Sequence, residues 1–156
     1  MTVAVTPEVG TLAPDFRLKG PEGTYYSLAE FRGNAPVVLA FYPLAFSPVC
    51  SHQLPTLETL MPTLRARGVE VFGVSVDSHH SNREFARRLG ISFPLLADFD
   101  RKASAAWGLL LETGYSGRAL FLIDREGRVA WREVTPHPDH VPSNEALLAA
   151  VNALGV

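Results

Sequence analysis

The residue of this sequence with the clearest chemistry is Cys50, the only cysteine in the chain. An apolar run at residues 36–41 precedes it, and Pro48 predicts the start of a helix just before it. A thiol is nucleophilic as a thiolate, and a helix N-terminus lowers the pKa of a cysteine from its free value of about 8.5. Ser47 can direct a hydroxyl to the same place. The pattern predicts a reactive thiol open to oxidants; the alternative is an inert cysteine packed in the core.

Two predicted elements must hold this thiol in place. Residues 36–41 are almost entirely apolar, which is typical of a central strand covered on both faces. After Cys50, apolar residues recur at steps of three or four and would share one face of a helix. They are Leu54, Leu57, Met61 and Leu64. Because Pro55 and Pro62 interrupt this pattern, we predict a long, kinked helix; the alternative is a first turn set apart from the rest.

The remaining pattern alternates strands with helices and closes on a hairpin and a last helix. The predicted strands are 15–18, 24–26, 69–76, 94–97, 118–123 and 128–134. The predicted helices are a short one opened by a capping box at Ser27 and Glu30, then 81–89, 102–109 and one capped by Ser143. Alternation indicates a parallel core, and the hairpins add antiparallel strands. We therefore predict one domain, 1–156, with an α/β thioredoxin-like fold: a central mixed sheet flanked by helices, with an N-terminal β-hairpin.

Composition excludes several function classes. The chain has 156 residues and a net charge of −2, and its nearest basic patch, Arg83, Arg87 and Arg88, is typical of a solvated helix face rather than a nucleic-acid surface. Its longest apolar run is too short to span a membrane. One cysteine permits no internal disulfide, and the first 14 residues lack the features of a signal peptide. We expect a cytoplasmic protein without nucleic-acid or membrane partners.

Metal and cofactor chemistry is weakly supported. His79 and His80 are adjacent, and His137 and His140 are three residues apart, but neither pair has cysteine or acidic companions at a ligand spacing. We interpret these histidines as structural or solvated, and predict neither a metal nor a cofactor. The absence of a Cys-x-x-Cys motif excludes a thioredoxin-type disulfide reductase.

Residues 43–50, Pro-Leu-Ala-Phe-Ser-Pro-Val-Cys, resemble the active-site signature of peroxiredoxins, Pro-x-x-x-Thr/Ser-x-x-Cys. Residues 10–16 resemble the opening of that family, residues 74–78 and 93–98 its middle strands, and residues 118–124 the strand that carries its active-site arginine. The sequence of residues 43–50 is most similar to that of the one-cysteine, AhpE-like branch.

The resemblance implies a thiol-dependent peroxidase that reduces hydrogen peroxide or organic hydroperoxides. Cys50 would be the peroxidatic residue, attacking a peroxide oxygen and becoming a sulfenic acid. Ser47 would hydrogen-bond the thiolate and the peroxide, and Arg118 would stabilise both the thiolate and the charge that develops as the O–O bond breaks. Pro43 would shape and shield the substrate pocket. The resemblance also implies a homodimer, which an exposed Phe46 and Pro48 would suit.

Two departures from the family pattern affect the cycle. Position 47 is Ser where Thr is commoner, which keeps the hydroxyl but loses the methyl that fixes its rotamer. No second cysteine can resolve the sulfenic acid, so an external thiol must reduce it, either a low-molecular-weight thiol or a thioredoxin- or glutaredoxin-like protein. Gln53, where some relatives carry an acid, lines the pocket, contacts the incoming thiol, or is simply exposed.

Two other functions remain open at this point. One is a redox sensor or chaperone-like binding protein that is switched by oxidation of Cys50 and consumes about one equivalent of peroxide. The other is an inert interaction module whose thiol reacts no faster than free cysteine.

Overall fold

The computed structural model describes residues 5–47, 50–135 and 142–155, and gives the backbone alone for Cys50 and Ser51. Its centre is a seven-stranded mixed sheet in the order β2-β1-β5-β4-β3-β6-β7. The strands are β1 Arg17–Lys19, β2 Tyr25–Ser27, β3 Val37–Phe41, β4 Glu70–Ser75, β5 Leu95–Ala97, β6 Ala119–Ile123 and β7 Val129–Val134. The helices are α1 Cys50–Glu58, α2 Met61–Ala66, α3 His79–Leu89, α4 Lys102–Ala106 and α5 Asn144–Ala153. This is the predicted thioredoxin-like α/β fold, including the N-terminal hairpin of β1 and β2.

The middle of the sheet is buried on both faces because its strands carry apolar side chains in both directions. β3, β4 and β5 run parallel, and β6 lies antiparallel to β3. All five residues of β3 and all five of β6 are buried. One face packs against α1, α2, α3 and α5, and the other packs against α4 and the 3-10 helix Leu28–Phe31.

The capping box predicted at Ser27 is wrong. The segment is a 3-10 helix, and Ser27 makes no side-chain cap. Asp15 replaces it, because Oδ1 of Asp15 accepts the N–H of Ala29 at 2.9 Å. A residue from outside the helix therefore satisfies one of the N–H groups that have no partner within its first turn.

The long helix predicted after Cys50 is two helices. Pro55 lies inside α1, but the chain leaves the helix at Thr59 and Leu60 before α2 begins. A continuous helix would place the ring of Pro62 against the carbonyl of Glu58, and a break relieves that clash. The predicted apolar face survives the break: Leu54, Leu57, Met61 and Leu64 are all buried in one cluster.

The other helix boundaries follow local signals in the sequence. Ser78 caps α3 by accepting the N–H of Ser81 at 3.2 Å, and Ser143 caps α5 by accepting the N–H of Ala146 at 3.1 Å. Gly90 ends α3 in the left-handed conformation, with φ of 69°, where glycine carries no Cβ penalty. Within the described ranges, no helix combines the length and the apolar character needed to cross a membrane.

Candidate active site

Cys50 is the first residue of α1 that the structure describes, and Ser47 is not helical, so Cys50 lies in the first turn of this helix. The predicted helix start, Pro48, lies outside the described residues. The helix follows β3 at the edge of the sheet where β3, β4 and β5 all have their carboxyl ends. β6 begins at the same edge, because Ala119 pairs with Phe41. Segments from four strands therefore converge on the start of α1.

The loop between β3 and α1 is tied to the sheet at its first residue. The N–H of Tyr42 donates to Val74 at 3.0 Å, and its carbonyl accepts from the hydroxyl of Ser116 at 3.2 Å. Pro43 is buried directly after it. Ser47 is half-buried, and its hydroxyl has no hydrogen-bond partner among the residues that the structure describes. That hydroxyl is therefore available to a bound molecule.

Arg118 is buried, with 2% of its surface exposed, immediately before β6. Its carbonyl accepts two hydrogen bonds from Thr135, from the backbone N–H at 3.1 Å and from the hydroxyl at 3.0 Å. Its guanidinium Nη1 donates to Oε1 of Gln53. Gln53 is in α1, one turn after Cys50. The arginine that the sequence separates from Cys50 by 68 positions therefore reaches the first turns of the same helix.

Gln53 is buried to the same degree as Arg118, which excludes the simple surface exposure considered from the sequence. Its amide oxygen accepts from Arg118, but its Nε2 has no hydrogen-bond partner within the described ranges. A buried donor without a partner is costly, by about 1–3 kcal/mol. The described part of the site thus contains one buried hydrogen-bond donor that a bound molecule would satisfy.

Sequence reasoning missed a polar cluster beside the loop. Tyr42, Ser75 and Asn82 are fully buried, and they lead to Asp77, whose carboxylate accepts the N–H of Ala45. The available signal was the polar Ser75 at the end of an otherwise apolar strand. A buried hydroxyl needs a partner, but the sequence does not show which one.

The adjacent histidines lie away from α1, at the start of α3, with ring centroids 3.9 Å apart. Partial desolvation, followed by the charges of His80, Lys19 and Arg83, lowers the pKa of His79. In the described part of the chain, no three histidine, cysteine or acidic residues group as a metal site. His137 and His140 lie outside the described residues.

Comparisons with known proteins give one consistent result. A model of the AhpC/TSA family matches residues 9–132. Alkyl hydroperoxide reductase E of Mycobacterium tuberculosis is 33% identical over 129 residues, which are 81% of this chain and 84% of that protein. The crystal structure of AhpC from Enterococcus faecalis has a TM-score of 0.87 at 26% identity and covers 96% of this chain and 93% of its own. The crystal structure of peroxidoxin BcpB from Mycobacterium tuberculosis has a TM-score of 0.84 at 25% identity, and the match covers 95% of this chain and 98% of that protein.

Proposed function

Since the chain belongs to the AhpC/TSA family and is a thiol-dependent peroxidase of the AhpE-like peroxiredoxin branch, we propose that Cys50 is its peroxidatic residue. The observation that carries the proposal is the hydrogen bond between Arg118 and Gln53. This bond joins a buried guanidinium to the residue one helical turn after Cys50. A helix N-terminus and a nearby cation both favour a thiolate over a thiol.

The first half of the cycle is a displacement at oxygen. The Cys50 thiolate attacks one oxygen of ROOH, an S–O bond forms, and the O–O bond breaks with its electron pair on the leaving RO⁻. The sulfur is oxidised by two electrons to a sulfenic acid as the peroxide is reduced, and the leaving alkoxide takes a proton to become ROH or water. Charge grows on the leaving oxygen, so donors fixed in advance accelerate this step.

Three side chains would supply or shape those donors. The free Ser47 hydroxyl and the Arg118 guanidinium would bind the peroxide oxygens, and buried Pro43 would exclude water from one wall of the pocket. The unpartnered Nε2 of Gln53 adds a fourth group, because a peroxide or sulfenate oxygen would satisfy it. Gln53 would therefore both hold Arg118 and bind substrate.

The second half of the cycle needs another molecule. The chain has one cysteine, so a thiol R′SH condenses with the sulfenic acid, releasing water and forming a mixed disulfide. A second R′SH then displaces the Cys50 thiol and leaves as R′SSR′. We propose a low-molecular-weight thiol or a thioredoxin- or glutaredoxin-like protein as the reductant, acting in a reducing compartment such as the cytoplasm.

We also propose that the protein works as a homodimer. Leu44, Phe46, Phe99, Leu110 and Leu111 are large apolar residues that are 37–68% exposed. They follow β3, β5 and α4, and so lie around the sheet edge where α1 begins. An apolar group of this kind on one edge suits a self-complementary interface between two copies.

The test is rapid mixing of the reduced protein with hydrogen peroxide and, separately, with an organic hydroperoxide, followed by intact mass. We expect the protein to gain one oxygen atom at a rate far above that of free cysteine, and the correct thiol to reverse this gain. With that thiol in excess, the protein should consume many equivalents of peroxide. Cys50→Ser should abolish the reaction, and Ser47→Ala and Arg118→Ala should each slow it about 100-fold, the usual loss for one transition-state donor.

The matched control is Arg87→Ala, which removes an exposed arginine that is bonded to Glu84 rather than to the site. It should react as the parent protein does. Undiminished turnover by Cys50→Ser would overturn the proposal. Oxidation that stops at one equivalent with every thiol reductant would instead support the sensor function.

A further inference from the structure

The loop that leads to Cys50 contains a strained turn. The N–H of Ser47 donates to the carbonyl of Leu44 at 3.4 Å, and Phe46, the third residue of this turn, has φ of 67°. Ala45 is not among the residues with positive φ, so the geometry is that of a type II turn. Such a turn prefers glycine at its third position, and a bulky residue there costs about 1–3 kcal/mol unless its surroundings enforce it.

One hydrogen bond from outside the loop holds this turn. The backbone N–H of Ala45 donates to Oδ2 of Asp77 at 2.8 Å. Asp77 lies two residues beyond β4, the strand next to β3, and is half-buried. A backbone N–H bonded to a carboxylate makes one of the stronger hydrogen bonds in proteins. Asp77 therefore fixes the first peptide of the turn, the one between Leu44 and Ala45, and Ser47 is the last residue of that turn.

Asp77 is in turn held by the buried hydroxyl of Ser75. The Ser75 hydroxyl lies 2.8 Å from Oδ2 of Asp77 and 3.2 Å from Oδ1 of Asn82. Its one proton belongs to the shorter, charge-assisted bond. Oδ1 of Asn82 accepts from the Tyr42 hydroxyl at 2.6 Å, and Nδ2 of Asn82 donates to the carbonyl of Leu96 at 3.3 Å. Asp77 is therefore held directly by Ser75, at the end of β4, and the bonds from Tyr42 to Asn82 and from Asn82 to Leu96 form a separate buried pair beside it.

We propose that Asp77 is a positioning residue for the peroxidase reaction, acting through the N–H of Ala45 to hold Ser47 and the start of α1 in their reactive arrangement. This inference rests on the proposed role of Cys50. Asp77 itself need not touch the peroxide. Its effect is geometric, and displacements of about 1 Å at a reacting site cost rates of up to roughly 100-fold.

The experiment compares variants on both sides of the bond. Asp77→Ala removes the acceptor. Asp77→Asn keeps an acceptor oxygen of the same shape but removes the charge. Ala45→Pro removes the N–H from the loop side and leaves Asp77 intact; proline is favoured at the second position of a type II turn, so it preserves the fold of the loop. Ser78→Ala is the matched control, because it removes the neighbouring cap of α3 and no contact with the loop.

The measurements are the second-order rate constant with hydrogen peroxide, the melting temperature, and the pH midpoint of alkylation of Cys50. We expect Asp77→Ala and Ala45→Pro to react at least about 10-fold more slowly, and Asp77→Asn to stay within about threefold of the parent. Ser78→Ala should lose stability, about 1 kcal/mol for a cap, without losing rate. The alkylation midpoint should rise in Asp77→Ala and not in Asp77→Asn, whereas an effect of charge alone would lower it in both.

Three results would overturn the proposal: Asp77→Ala within twofold of the parent, Asp77→Asn as slow as Asp77→Ala, or Ser78→Ala as slow as either. If Asp77→Ala fails to fold, the rate of Ala45→Pro decides. Failure here is distinct from failure of the proposed function, because the latter appears as turnover that survives Cys50→Ser in the parent background.

Discussion

Gln53 contributes two different groups to the site, and the two can be separated by substitution. Its Oε1 accepts from Arg118, and its buried Nε2 has no partner in the part of the protein that the structure describes. Gln53→Glu keeps an acceptor for the guanidinium, with the added strength of a charged bond, but removes the donor. Gln53→Leu keeps the approximate size and removes both groups.

We expect the parent protein to react fastest with hydrogen peroxide, Gln53→Glu more slowly and Gln53→Leu most slowly. Gln53→Leu should be slower than the parent by about 10-fold or more. Gln53→Leu should also lose about 1–3 kcal/mol of stability, because the buried guanidinium of Arg118 loses the acceptor that Gln53 supplies. His52→Gln, an exposed change on the same helix, is the control. A parental rate in Gln53→Glu would contradict the donor role, and equal rates in Glu and Leu would contradict the role in holding Arg118.

At the scale of secondary structure, β4 lies beside β3 in the core, and its Val74 accepts a hydrogen bond from Tyr42, the first residue of the loop before Cys50. Gly73 in this strand faces Leu95 and Tyr42: a Cβ added there would lie 2.6 Å from Cδ2 of Leu95 and 3.1 Å from Cε1 of Tyr42. Tyr42 carries the hydroxyl that bonds Asn82. The missing side chain of Gly73 is therefore what lets two buried side chains pack over the strand.

Gly73→Ala should destabilise the protein by about 1–3 kcal/mol, the usual cost of overpacking. For a chain of this size that corresponds to roughly 3–10 °C in melting temperature. Thermal unfolding measured by circular dichroism checks this. The second substitution Leu95→Val shortens the side chain in the clash, so the double variant should regain part of the loss. An unchanged melting temperature in Gly73→Ala would show that Leu95 rotates away at no cost.

The same elements show how far sequence carries a prediction. β3, the caps at Ser78 and Ser143 and the buried face of α1 follow from local rules, because apolar periodicity and capping residues act over a few positions. The 3-10 helix is capped by Asp15 instead of Ser27, since a partner from elsewhere in the chain replaced the local one. The helix continues through Pro55 but breaks before Pro62. The sequence could not predict this difference, because it does not show whether the packing around a proline will hold the helix together.

The site divides along the same line. Cys50 and Ser47 could be predicted from one local motif, whereas Arg118 required the family resemblance, since no spacing rule links residues 50 and 118. The bond from Arg118 to Gln53 and the one from Ala45 to Asp77 depend on which strands lie side by side, and that order is a property of the folded sheet. The roles of these residues in catalysis, and the single-domain boundary 1–156, stay predictions.

At the scale of the whole molecule, the edge of the sheet that presents α1 carries several exposed apolar side chains. Phe46 is one of them, 48% exposed, with one side packed on Phe85 at 5.0 Å between ring centroids and Arg88 lying 5.6 Å from its ring. Dimerisation there would bury Phe46 and add a second set of contacts to the strained turn. We therefore expect oligomeric state and peroxidase rate to be linked.

Phe46→Glu should weaken the dimer by about 30-fold or more, the effect of losing a central aromatic residue at an interface. Sedimentation velocity across a dilution series would follow the change from twice the chain mass of 17.0 kDa to the single mass. Tyr25→Glu is the matched control, because Tyr25 is 44% exposed but lies on β2 at the outer edge of the sheet. If the parent protein sediments as a monomer, or if the two variants dissociate alike, this edge is not the dimer interface. If Phe46→Glu is monomeric yet keeps the parental rate constant with peroxide, the interface does not support the turn, and Asp77 alone is sufficient to hold it.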